Sequence, residues 1–502
     1  VEQSSWGNGI HMKRIILVER TIIPPFGEPA RELRILNKPL WLLQRDLLKS
    51  HCKGALEVDS LDAIPASERG PLLVHKDNLY FNQELVDTFI SKAVASGKPC
   101  QIAFQAPVPE RRIKGDLSIA EHAIRLQSGI RRQGDVFVAD MYYFPDGVVK
   151  DPMPLVIDTE ATNMGYYHIP RYMGGDQNNL SFHVPLRAFL SIENWVHVFM
   201  ANSPFGVFAL GRAHEAIMNR GRLANFFHWT RDDWSAFWQK LGFVVTTIKD
   251  KYNPLGAQWR NSFLANSKLV KIGKNCSIDP TAIIHGPTII GDNVYIGAGA
   301  VITNSLIGSN VNIMQGCQVM LSVVSDRCYL PFNAALFMTT LMENSMVAQN
   351  STLQLCVVGR NTFIGANNVF TDFDLLGKPL QTFHNGKLQE VGLPILGSAV
   401  GHNVKIGSGF VIYPARMIGS NSTLLYTQEN TVVGKNVSGL DPNDVDEETG
   451  EPRRLVYRWP HIYQLDQGGS LTVPPQPTPQ PVEDRPSSRP VTARHASARL
   501  LR

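Results

Sequence analysis

The chain of 502 residues is 43% apolar and 18% charged, length and composition enough for two to four domains with cores of their own. Its net charge is only +4, from 48 Lys and Arg against 44 Asp and Glu, so electrostatics gives no reason to expect nucleic acid as the main partner. Six scattered cysteines without a CxxC pair fit a reduced, cytoplasmic protein, and no apolar run reaches the roughly 18 residues that membrane insertion needs.

Residues 1–11 (VEQSSWGNGIH) read as a leader or disordered segment, and Met12 opens the first strand-like run. Residues 12–212 read as an α/β domain. IILVE is a buried strand, PLWLLQRDLLKS a helix, PLLVH a strand, and QELVDTFISKAVAS a helix stopped by Gly97. QIAFQ follows as another strand, and this alternation predicts a parallel sheet covered by helices. Residues 134–200 are strand-rich and aromatic, as in DVFVADMYYF, PLVID and NLSFHVPLRAFLSI. A helical connector is expected over 213–264, where Thr230 and Asp233 form a capping box and Trp234, Phe237, Trp238 and Leu241 recur at helical spacing.

The strongest signal lies in residues 265–440. Ile272, Ile278, Ile284, Ile290, Ile296 and Ile302 recur at every sixth position, several followed by Gly and a small or polar residue. The rhythm continues in groups of three through Ile307, Val324, Leu341 and Val358, each group starting five residues after the last member of the group before. Six fits neither indefinite strand alternation nor a 3.6-residue helix. It fits a short strand plus a corner, three per coil, in a hexapeptide β-helix. The rhythm stops at Phe370 and resumes at Val400, so residues 371–394 are expected as a loop extruded from one corner. Residues 441–466 read as a charged extension, and the Pro-rich residues 467–502 as a disordered tail.

An α/β domain followed by hexapeptide repeats resembles the sugar-nucleotide pyrophosphorylase/acyltransferase family. The likeness rests on the repeats, the element order, the Lys38-Pro39 pair, and Asp77 at the end of PLLVHKD. It implies a nucleotidyltransferase-like (GT-A/Rossmann-like) N-terminal domain plus a left-handed parallel β-helix. It also implies acetyl-CoA as acyl donor, a sugar or nucleotide-sugar substrate, and a homotrimer. In that family the loop after the first strand is Gly-rich and holds a triphosphate through backbone N–H groups. Here VERTIIPPFGEPARELRILNKP has one glycine, Gly27, and three prolines before Arg31, and proline removes such donors. Arg31 and Lys38 remain as charges for a nucleotide or sugar, and Asp77 as the metal position that would hold Mg²⁺ if the domain is active. The nucleotidyltransferase signature is therefore eroded.

The resemblance also implies a histidine general base, whose ordinary pKa suits the task. The solenoid offers His285, His384 and His402. His384 lies on the extruded loop, placed to reach across a subunit boundary. His402 occupies a corner in GHNV, and His285 follows an inward isoleucine. His384 and His402 are the catalytic candidates, with Asn368 and Asp372 at the loop base as acceptor-orienting groups. Two rival readings stand: a non-catalytic trimeric scaffold, and an active sugar-1-phosphate nucleotidyltransferase with a divergent loop.

Overall fold

The computed structural model describes residues 11–106, 125–168, 179–209, 269–426, 431–437, 440–445, 452–454 and 456–458. The chain divides into units 1–469 and 470–502, and every described residue belongs to the first. The connector expected over 213–264 and the tail over 467–502 lie outside the described residues.

The N-terminal sheet is built from β1 (Met12–Leu17), β2 (Cys52–Val58), β3 (Leu72–Lys76), β4 (Cys100–Gln105), β5 (Ile130–Gln133), β6 (Val136–Phe144) and β7 (Met153–Val156). Its order is β7-β4-β6-β3-β1-β2, with β5 paired to β6. The expected parallel sheet is instead mixed, because β6 runs antiparallel to both β3 and β4. The reason is local: β5 and β6 form a hairpin turning at Gly134, which has φ 61°, so β6 enters reversed. Helix α1 (Leu40–Leu48) follows β1 and helix α2 (Gln83–Ser96) follows β3; Asn82 caps α2 at its start and Gly97, at φ 63°, closes it. Helix α3 (Trp195–Asn202) is buried along its whole length.

From Val270 onward the chain winds eight coils into a triangular prism of three parallel sheets with eight, nine and eight strands, consistent with the expected β-helix. Ile272 pairs with Ile290 across an 18-residue coil, and Ile290 with Ile307 and Ile307 with Val324 across 17-residue coils. The six-residue rhythm thus marks the inward positions, and from Ile290 to Val433 they form one apolar interior. In the first coil, at the end of the stack, Ile272 is still half exposed. The ninth strand of the second sheet is Val456–Arg458, which pairs with Thr423–Leu425, so the charged extension returns to the solenoid.

One hydrophobic cluster joins the two parts. Leu321, Met338, Leu355, Ala415 and Met417 of the solenoid pack with Phe199, Phe205 and Trp195 of the N-terminal domain. The domain therefore lies against the first face and the adjoining corner of the prism. Among the described residues no helix is long and apolar enough to cross a membrane.

Candidate functional site

The insertion does not stand free. Gln381–His384 and Lys387–Glu390 form a β-hairpin closed by Asn385-Gly386, both at positive φ, as a two-residue turn of this kind requires. The Asn-Gly pair flanked by alternating side chains is a signal that could have marked this hairpin within the expected loop. Leu380, Phe383, Val391 and Leu393 are buried in the cluster shared with the N-terminal domain. The hairpin is thus packed against its own chain.

Two consecutive residues at the start of α3 meet three consecutive residues of the hairpin. Trp195 Nε1 donates to Thr382 Oγ1 at 2.8 Å, Asn194 Nδ2 donates to the Phe383 carbonyl at 3.1 Å, and the same amide lies 3.4 Å from His384 Nδ1. Glu193 adds charge: its carboxylate accepts from the Ser128 and Gly129 backbone N–H groups, each at 2.7 Å, and from the Ser128 and Ser191 hydroxyls. His197 accepts from the Glu193 N–H and donates to the Arg125 carbonyl, and burial pushes its imidazole down to about 4. His384 is 8% exposed; burial lowers its pKa, while the Glu193 carboxylate works the other way. Two histidines and a glutamate from separate parts of the chain thus meet at the junction. Sequence reading found His384 but missed Glu193, Asn194 and His197, because α3 is buried on every side and shows no amphipathic period.

His402 is elsewhere. Its Nδ1 accepts from the Arg360 N–H at 2.8 Å and its Nε2 faces Glu28 Oε1 at 3.2 Å. Glu28 also pairs with the Arg360 guanidinium, and the Phe26 ring lies over the imidazole. These contacts, at 7% exposure, make His402 a link between the two parts. Asn368 is likewise turned inward: its amide donates to the Gly365 and Gly407 carbonyls and accepts from the Phe410 N–H, so it ties adjacent coils and does not face the loop base. Asp372 does lie at the base of the insertion, with its carboxyl pushed up by burial.

The N-terminal candidates separate. Strands β1, β2 and β3 are parallel, with β1 between the other two, so the chain departs in opposite directions at their carboxyl ends, the usual position for a ligand crevice. Asp77 and Arg31 meet there at 3.1 Å, with Glu57 on Arg31 and Lys76 near Glu19 and Asp140. Lys38 instead pairs with Asp46 on α1 at 2.6 Å. Burial pushes the Asp77 carboxyl up to about 6, and its two oxygens already accept from the Glu19 N–H and from Arg31. A magnesium ion takes an octahedral set of oxygen ligands. Among the described residues no group of three or more His, Cys, Asp and Glu is placed to hold a metal. With both Asp77 oxygens engaged, nothing among the described residues supports the Mg²⁺ expected there.

The loop after β1 has a second use. Asn37 donates to Asp326 at 2.9 Å, Arg34 pairs with Glu343, Glu28 with Arg360 and His402, and Ser420 donates to the Pro25 and Phe26 carbonyls. These partners come from successive coils along one corner of the prism. The stretch compared with a phosphate loop is a clasp onto the solenoid.

Residues 269–304 match the family described as bacterial transferase hexapeptide (six repeats). No curated protein matches the sequence. Among solved structures 140 chains match. One is an acetyltransferase of Bacillus cereus, 16% identical over 31% of this chain and 77% of its own, with TM-score 0.16. A polysialic acid O-acetyltransferase is 15% identical over 38% of this chain and 90% of its own, with TM-score 0.19. The UDP-N-acetylglucosamine acyltransferase of Campylobacter jejuni is 15% identical over 33% of this chain and 70% of its own, with TM-score 0.17. The family match is confined to residues 269–304, the first coils of the repeat.

Proposed function

We propose that the protein is a hexapeptide-repeat acyltransferase that moves an acyl group from acetyl-CoA to a hydroxyl or amino group of a sugar or sugar nucleotide, and that it works as a homotrimer. The match of the first coils to a transferase family supports the class of chemistry. The observation that carries the assignment of the site is the insertion hairpin, which brings His384 against Asn194 and within electrostatic reach of Glu193 at the junction. In the reaction the acceptor heteroatom bonds to the acyl carbon, the carbon–sulfur bond breaks, and the acceptor's proton ends on the released thiol. Arg31 and Asp77, at the strand ends of the N-terminal domain, are the groups we assign to the sugar or nucleotide part of the substrate. Lys38 and Asn368, held elsewhere, are not included.

A second reading, a non-catalytic assembly protein, is favoured by the commitment of the loop after β1 to the clasp. Thiol release from acetyl-CoA, measured with a panel of UDP- and dTDP-sugars, separates the two. Release that falls at least about 100-fold in His384→Ala, the scale of a lost proton-handling or donor group, supports the acyltransferase. Absence of release together with no thermal shift on any ligand supports the assembly protein. Pyrophosphate release from a nucleoside triphosphate and a sugar phosphate would return the N-terminal domain to nucleotidyl transfer.

A further inference from the structure

The amide of Asn194 has only one orientation open to it. Its Oδ1 accepts from the Val196 N–H at 3.1 Å as the N-cap of α3, and its Nδ2 donates to the Phe383 carbonyl at 3.1 Å. Turning the amide over would set oxygen against oxygen at Phe383 and N–H against N–H at Val196. The second hydrogen of Nδ2 therefore points to His384 Nδ1, 3.4 Å away. A ring nitrogen that receives a hydrogen bond carries the lone pair, so the proton of the neutral imidazole sits on the other nitrogen. We infer that Asn194 is a positioning residue that fixes His384 as the Nε2–H tautomer, so that this imidazole meets its ligand as a hydrogen-bond donor and not as a base. The inference rests on the acyl-transfer reading only for what the donated bond serves, a carbonyl, phosphate or hydroxyl oxygen of the substrate.

On the Nε2 side stands the Asn385 Nδ2, at 3.1 Å, so both ring nitrogens face an amide nitrogen and one of the two amides must turn over. Among the described residues no other hydrogen bond holds the Asn385 amide, so it is the one that turns its oxygen to the ring N–H, which Asn194 cannot do. The backbone around the ring is pinned by Trp195 on Thr382 and by Gln389 Nε2, which donates to the His384 carbonyl at 3.3 Å. Of the charged groups nearby, the Glu193 carboxylate is engaged by Ser128, Gly129 and Ser191, and His197 by Glu193 and Arg125. Lys387 sits opposite His384 in the hairpin register, and Arg125 faces Glu390 at 3.9 Å. None of these is seen to offer Nδ1 an acceptor.

The test is long-range proton–nitrogen correlation NMR on the full chain labelled with ¹⁵N-histidine, with His384→Gln to identify the signals. The expected result is a protonated Nε2 and a lone pair on Nδ1. Asn194→Asp keeps the cap but turns the donor at Nδ1 into an acceptor. It should move the proton to Nδ1 and raise the His384 midpoint by about one pH unit or more. Asn194→Ser, a good cap without an amide donor, should leave a mixture of tautomers and serves where the aspartate variant does not fold. Protonated Nδ1 in the parent, or a tautomer indifferent to both variants, would overturn the inference. Because the spectrum needs no substrate, a fixed tautomer without acetyl-CoA turnover would defeat only the acyltransferase reading.

Discussion

Asn293, Asn310, Asn344, Asn361, Asn403 and Asn421 all adopt left-handed backbone at one corner of the prism, each φ lying near 60°. Asparagine tolerates that region because its short side chain bonds locally, here to the asparagine of the next coil. At the corner beneath the N-terminal domain the same conformation is held by Leu321, Met338, Leu355 and Ala415. The backbone cost there is offset by burial in the shared cluster. Asn344→Ala should therefore cost about 1 kcal/mol, whereas Leu355→Ala, at a fully buried corner, should cost about 2–5 kcal/mol; denaturant unfolding distinguishes them. Asp77 gives a pH signature. Its carboxyl is raised by burial to about 6 from an ordinary 3.8, so its contribution to stability is present in acid and is lost as pH rises through that window. The stability of Asp77→Asn relative to the parent should accordingly climb between about pH 4 and 6 and then level off. A flat difference would place the carboxyl in water.

At the level of elements, the insertion shows what a solenoid tolerates. Val358 pairs with Val400, 42 residues on, while Leu341 pairs with Val358 over 17, so the coil carrying the hairpin is 25 residues longer than its neighbour and keeps their register. Removing 25 residues between Phe370 and Val400 should leave the β-helix intact by circular dichroism while weakening the attachment of the N-terminal domain, which limited proteolysis would reveal. The coils were legible in the sequence because each strand sends one aliphatic side chain inward at a fixed count, as Ile296, Ile313 and Leu330 do. Strand β2 was not, because most of its side chains are exposed and it lacks an apolar run. Helix α3 was missed for the opposite reason, since a helix buried on every side has no polar face to mark its period. His384 could be picked out as a candidate from its place on the insertion, but its partners Glu193 and Asn194 lie nearly 200 positions earlier, beyond the reach of any local pattern.

At the scale of the whole molecule, the clasp should make the N-terminal domain and the solenoid unfold as one body. Asp326, Glu343, Arg360, His402 and Ser420 occupy equivalent places in successive coils, one residue before a left-handed corner. Taken singly each looks like an ordinary polar corner residue, as His402 does in GHNV. Their meaning comes from the loop that lies along them and offers Asn37, Arg34 and Glu28 in matching order of charge. Glu28 is largely buried, and the His402 and Arg360 side chains hold its carboxyl below the usual range despite the opposing effect of burial. Its pairing therefore supports the fold above the ordinary carboxylate pKa and is lost as pH falls below about 4. Reversing the charges at Glu28 and Arg34 together should place like charges against Arg360 and Glu343. That repulsion should split a single thermal transition into two, one for each part. Restoring complementarity with Arg360→Glu and Glu343→Arg should bring the transitions back toward one another. If the reversed protein still melts as one unit, the shared apolar cluster alone holds the parts together, and the clasp serves only to set their register.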